Sequence, residues 1–225
     1  MAVFVILVVK KKVKKKKVMT SPEQIQLENI AESDYEIFAL LKQRYSPRTF
    51  KDVRVKKQHL NQLFEAVRWS PSSNNIQPWR FIYAERNSDA YQDILSCLSD
   101  FNKEWATNAP LLMLTAYYKK TQDDKDNFHA LHDLGLAVGS MTTQAQYMGI
   151  AMHQMAGVDH EKAEKLFEVP EDYHITSAIA LGYYGGELDK LSPELQEAEL
   201  KERQRIDQSQ FAFMDRWKNI RHDEN

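Results

Sequence analysis

Two stretches of the chain, LLMLTAYY at 111–118 and ITSAIALGYY at 175–184, are almost continuously apolar. Each is too short to cross a bilayer and too unbroken to alternate between core and water. Strands covered on both faces fit that pattern. Two shorter runs, 79–85 and 151–155, also read as strands. Helical spacing fills the gaps between them. Leu60, Leu63, Phe64 and Val67 fall at i, i+3, i+4 and i+7, and so do Tyr91, Ile94, Leu95 and Leu98. Segment 127–149 is the longest, with Leu131, Leu134, Val138, Met141, Ala145 and Met148 on one stripe. Helices and strands therefore alternate, and a sheet with helices on both faces is the economical architecture. The long helix also carries Gly135 and Gly139 on one face. Each costs about 1 kcal/mol against alanine, which close approach of another helix would offset.

With no internal repeat and no Gly/Ser linker between about 35 and 185, the 225 residues read as one domain. Hydrophobic residues at 43% and charged residues at 28% match globular proteins and exclude a disordered or collagen-like chain. Residues 1–18 stand apart, as an apolar run of nine followed by seven lysines between Lys10 and Lys17. The order is wrong for a secretory signal. A membrane-surface anchor is the minority reading. The segment is expected to lie outside the fold, with Met19 as the natural start of a domain over 19–225. Without those seven lysines the formal net charge of −2 becomes −9, which argues against a nucleic-acid partner. The single cysteine, Cys97, excludes an internal disulfide and fits a reducing cytoplasm. Beyond Gly186 a polar arm, 187–225, ends in Phe211, Phe213 and Trp217, aromatics that need another surface to cover them.

Most signatures of catalysis are missing: there is no dinucleotide or phosphate-binding glycine loop, no nucleophile elbow and no zinc-protease motif. His129, His132 and Asp133 have no further ligand spaced to complete a metal site, so none is expected. Cys97, at the edge of a helical stripe, is expected to be an inert, mostly buried thiol. Two clusters remain. Arg44-Tyr45-Ser46-Pro47-Arg48 places two guanidinium forks around a hydroxyl, suited to a phosphate and a polar ring edge; the bland alternative is two surface arginines in a loop. In Pro71-Ser-Ser-Asn-Asn-Ile-Gln-Pro-Trp79 a helix stops and a strand begins, and Ser72, Ser73, Asn75 and Gln77 offer uncharged donors and acceptors to a heterocycle. A capped turn without a ligand is the alternative there.

Together these clusters resemble the nitroreductase family of FMN-dependent oxidoreductases. The likeness runs in order through Arg-x-Ser-x-Arg-x-Phe (Arg44 to Phe50), Pro71 to Trp79, Ala109-Pro110, Asp133-x-Gly135, Met155 to Asp159, 166–173, Ala180 to Tyr183 and Arg203-x-Arg205. It implies an α+β three-layer α-β-α sandwich, with a central mixed sheet, in an intertwined homodimer whose arms wrap the partner. It implies FMN at the subunit interface, its phosphate held by Arg44, Arg203 and Arg205, with Ser46 near the ribityl–phosphate part. Arg48 would face the N1–C2 carbonyl edge as electrostatic support. Pro71, Ser72, Ser73 and Asn75 would reach the flavin from the other subunit, with Gln77 shaping the turn. Tyr45 would lie close by, and backbone around Ala156 and Gly157 would face flavin N5. The implied reaction is ping-pong hydride transfer from NADH or NADPH through N5 to a nitroaromatic, quinone or similar small molecule, with no protein acid or base required. A dehalogenase or oxygenase on the same fold, and an FMN sensor or store, stay open.

Overall fold

The computed structural model describes residues 22–218, so the leader at 1–18 lies outside the described residues. The chain runs α1 (Pro22–Glu28), α2 (Ala39–Gln43), α3 (Lys57–Arg68), β1 (Trp79–Glu85), α4 (Asp89–Ser96), α5 (Asp100–Ala106), β2 (Leu111–Tyr118), α6 (Ala130–Tyr147), β3 (Ile150–Met155), α7 (His160–Leu166), β4 (Tyr173–Tyr183) and α8 (Pro193–Glu199). Several helices begin where a side-chain oxygen caps a free backbone N–H. Ser88 accepts from Tyr91, and Asp159 from Lys162.

The four strands lie in the order β1-β2-β4-β3, and all three pairings are antiparallel. The mixed sheet expected from the resemblance is therefore, among the described residues, an antiparallel one. Connectivity is the reason. The β2–α6–β3 crossover brings two strands back in the same direction, but β4 inserts between them and runs the other way.

Both faces are covered, as the apolar runs require. Leu112, Leu114, Ala116, Ala151, Ala178 and Ala180 point toward Tyr91, Ile94, Trp105 and Ala163 of α4, α5 and α7. Leu111, Met113, Ile150, Met152, Ile179 and Leu181 point the other way, onto Leu60, Leu63 and Val67 of α3 and Leu134, Val138 and Met141 of α6. Burying a side chain such as Leu63 or Met141 contributes about 1.5–3 kcal/mol. A bulge between Thr115 and Ala116 resets the alternation along β4, so Ile175 and Ala178 share a face.

Two expectations change in detail. Leu131, counted in the stripe of α6, is 58% exposed, and the buried stripe begins at Leu134. Among the described residues, nothing outside the surrounding turns of α6 comes within 4 Å of a Cβ built on Gly135 or Gly139, so none of the described helices supplies the close approach. The arm also starts at home, since Leu188, Leu191 and Leu195 are buried in the chain's own core. Phe211 and Trp217 near its end are exposed.

Candidate functional site

The loop from Arg44 to Phe50 is pinned to the end of the sheet at several points. Phe50 bridges Tyr184, and Lys51 donates its N–H to the Tyr183 carbonyl at 3.1 Å. Gly186, at φ +92°, passes so close to Phe50 that any Cβ would meet its backbone at 2.5 Å; only glycine serves there. The Tyr184 hydroxyl lies 3.2 Å from the Tyr45 carbonyl and 2.7 Å from Gln146 Oε1. His153 Nδ1 is 3.0 Å from the Pro47 carbonyl, and its ring stacks on Trp105 at 4.3 Å.

This pinning gathers Arg44, Tyr45, Ser46 and Arg48 with Arg203 and Arg205, residues about 160 positions later, around one cleft of about 200 Å³. Arg44 donates to Ser46 Oγ at 3.2 Å. Arg203 donates to the carbonyls of Asn29 and Lys42 at 2.7 and 2.9 Å, which fastens the arm to the start of the domain. Burial disfavours the charged form of Arg44, and Arg205 adds to it; burial, then Arg44 and Arg205, act likewise on Arg203. Arginines stay charged regardless, so burial is the main cost at both positions, with repulsion between neighbouring cations added to it, and a bound dianion would offset both. Tyr45 contributes mostly backbone and packing, being buried against the Tyr184 ring at 5.2 Å.

The sequence did not single out Glu199, Asn29 or Lys201, which also line the cleft. Glu199, the last residue of α8, is buried and accepts from the Arg48 backbone N–H through Oε1 and from Arg48 Nη1 through Oε2, both at 3.3 Å. It sits in a run of charged residues, ELQEAELKER, where nothing distinguishes it from its neighbours. Arg48 Nε is buried without a hydrogen-bond partner.

The second cluster forms its own loop, elsewhere in the chain. Asn75 and Gln77 line a separate hollow of about 340 Å³ with Arg68, Trp69 and Ser70. Asn74, Asn75 and Gln77 hold φ values of 49°, 54° and 53°, a left-handed backbone in three non-glycine residues. The Ser72 hydroxyl accepts from Gln77 N at 3.0 Å, and Gln77 Nε2 donates to Asn75 Oδ1 at 3.0 Å. Asp133 accepts from Ser73 N at 3.1 Å and ties the loop to α6. Pro71 is exposed at the loop's start. Gln77 thus bonds within the turn through both its backbone N–H and its side chain.

Ala156 and Gly157 close β3, with Ala156 exposed. A Cβ on Gly157 would lie 2.6 Å from Ser99 Oγ and 2.9 Å from Asn102 Nδ2. The Gly157 carbonyl accepts from Ser99 N at 2.9 Å. A larger residue there would have to displace the Ser99 and Asn102 side chains. Cys97 is fully buried, and burial raises its thiol pKa. Among the described residues no group of three or more His, Cys, Asp or Glu side chains could hold a metal ion. None of the described helices is long and apolar enough to cross a membrane.

The family model described as "Nitroreductase family" matches residues 41–183. The chain belongs to the nitroreductase family. The match includes the Arg44–Arg48 loop, the Pro71–Trp79 loop and the end of β3; Arg203 and Arg205 lie beyond it. A solved oxidoreductase containing FMN is 28% identical, covering 85% of this nitroreductase-family chain and 98% of its own, with a TM-score of 0.79. A Ralstonia nicotianae protein provisionally named NADH dehydrogenase/NAD(P)H nitroreductase is 23% identical over 161 residues, 63% of this chain and 81% of its own. An iodotyrosine deiodinase of Thermotoga neapolitana is 22% identical over 163 residues, 65% and 88% of the two chains.

Proposed function

We propose that the protein is an FMN-dependent NAD(P)H oxidoreductase, working as a homodimer in the cytoplasm. Family membership and the FMN-containing structural relative support the flavin-dependent oxidoreductase class. The observation that carries the cofactor assignment is the convergence of Arg44, Arg203 and Arg205 on one cleft beside Ser46. Clustered cations call for a dianion, which the ribityl phosphate of FMN provides, while the polar edge of its ring offers acceptors to the Arg48 guanidinium.

When bound, FMN would supply the ping-pong hydride and electron transfer between NADH or NADPH and a nitroaromatic, quinone or similar flat acceptor. The chain's residues bind and bias. Arg44, Arg203 and Arg205 hold the phosphate, and Arg48 offers a fixed cation to the N1–C2 edge, where negative charge accumulates on reduction. Asn75 and Gln77 of the strained loop line a separate hollow, which supports the reading that Pro71, Ser72, Ser73 and Asn75 reach the flavin of a second copy. The open face of Gly135 and Gly139 and the exposed aromatics Phe211 and Trp217 support such a copy. A domain over 19–225 whose arm beyond the buried Leu195 covers the partner follows from the same reading.

The test is an anaerobic titration of the FMN-reconstituted dimer with NADH and NADPH, followed through the visible flavin band. Bleaching by a nicotinamide and recovery on adding a nitroaromatic or quinone is expected. Retained flavin that neither donor bleaches would favour a sensor or store, and failure to retain flavin would overturn the arginine assignment. The deiodinase relative favours a dehalogenase as the second reading; an iodinated phenol that reoxidises the flavin and releases iodide, where nitroaromatics and quinones do not, would establish it.

A further inference from the structure

Among the described residues, Glu199 is the one carboxylate lining a cleft otherwise rich in arginine and lysine. Its position is unfavourable on two counts. It is buried, which penalises its charge and raises its pKa against the opposing pull of Arg48. It also ends α8, where the helix presents unpaired carbonyls rather than N–H groups. A carboxylate there also opposes binding of an anion. Pairing with Arg48 is what offsets these costs, and the pairing is specific. One oxygen takes the Arg48 backbone N–H and the other takes Nη1, so the guanidinium is fixed relative to its own main chain. The Trp105 ring lies 5.9 Å from the guanidinium carbon. With Nη1 engaged, Nε remains as a buried donor without a partner.

We propose that Glu199 is a positioning residue that aims Arg48 at the flavin and reduces the positive charge it presents, thereby holding down the reduction potential of the bound cofactor. The inference rests on the reading that Arg48 faces the N1–C2 edge. A free cation at that edge would favour reduced FMN strongly; a cation shared with a fixed carboxylate favours it less. Electrons would then be released more readily to an acceptor.

The experiment is spectroelectrochemical titration of FMN-loaded protein and of E199Q, E199D, R48Q and R48Q/E199Q. The readout is the ratio of affinities for reduced and oxidised FMN. E199Q keeps an acceptor for the Arg48 donors but removes the charge, so the ratio should rise about tenfold, a shift of about +30 mV for a two-electron couple. E199D keeps the charge and should stay within about twofold of the parent. R48Q should lower the ratio, and adding E199Q to R48Q should change nothing, because the buried Glu199 without Arg48 loses the cation that keeps it ionised, and a neutral carboxyl and a glutamine present the same charge. An unmoved E199Q beside a lowered R48Q would overturn the role of Glu199 and leave the placement of Arg48 intact. An R48Q protein that holds flavin at the parent potential would overturn the placement itself. If E199Q does not fold, with Arg48 left buried without its counter-charge, the double variant decides: a ratio different from that of R48Q overturns the proposal.

Discussion

Asp133 on α6 accepts the backbone N–H of Ser73 at 3.1 Å, joining the central helix to a loop 60 residues earlier. The carboxylate is buried, and the loop it holds contains three non-glycine residues with left-handed backbone. A loop of that conformation needs outside restraint. Asp133→Ala would leave the Ser73 N–H without its acceptor and should cost about 1–3 kcal/mol of stability. Urea unfolding measures it; a midpoint equal to that of the parent would show that the loop holds its shape unaided.

Among the described residues, Gly135 and Gly139 face open space. In an isolated subunit, alanine at either position should stabilise α6 by up to about 1 kcal/mol. In a dimer packed helix against helix, the added methyl groups should weaken association. Sedimentation of Gly135→Ala and Gly139→Ala across a range of concentrations separates the cases. A tight dimer of unaltered affinity would remove these glycines from the proposed interface.

His153 gives a pH dependence of known sign. Burial above all lowers its pKa from 6.5 to about 4; the Pro47 carbonyl opposes, while Arg48 and Arg44 lower it further. The unfolded chain takes up the proton near pH 6.5 and the folded chain only near 4. Stability is therefore full above about 6.5 and falls toward pH 4, by about 3 kcal/mol. Burial raises the pKa of Glu199, which acts in the opposite sense, so the comparison must be made within one residue. His153→Asn keeps a donor for Pro47 and should flatten the fall in unfolding free energy between pH 6.5 and 4. An identical slope in the variant would rule out His153 as its source.

Arg44 is partly buried among other cations. Arg44→Gln should weaken FMN binding about 10–100-fold, the worth of one charge-assisted contact to a dianion. Stability of the cofactor-free chain should not fall, since a crowded charge is removed. Flavin fluorescence titration and thermal melting give the two numbers. Equal loss of melting temperature with and without FMN would make Arg44 a structural residue.

Much of this fold is written locally. The runs at 79–85 and 111–118 are strands with those limits, and the runs at 151–155 and 175–184 shift by two residues at most. Unbroken apolar sequence needs cover on both faces wherever it sits, so the three layers follow from the residues themselves. The loops of the candidate site are legible for a similar reason. Proline, serine, asparagine and arginine in short ordered motifs advertise turns and polar recognition without reference to the rest of the chain.

What touches what is a different matter. That β4 enters between β2 and β3, making every pairing antiparallel, depends on which arrangement buries both faces at once. That Arg203 ties the arm to Asn29 and Lys42, and that Gly157 packs closely against Ser99 and Asn102, depends on segments brought together only by that arrangement. Glu199 shows the division most clearly. In sequence it is one acid in a polar, charged arm; in the fold it is a buried counter-ion 151 residues from Arg48. Propensity and hydrophobic period are properties of neighbours along the chain, whereas the cost of burying a charge and the partner that offsets it exist only once the chain has closed on itself.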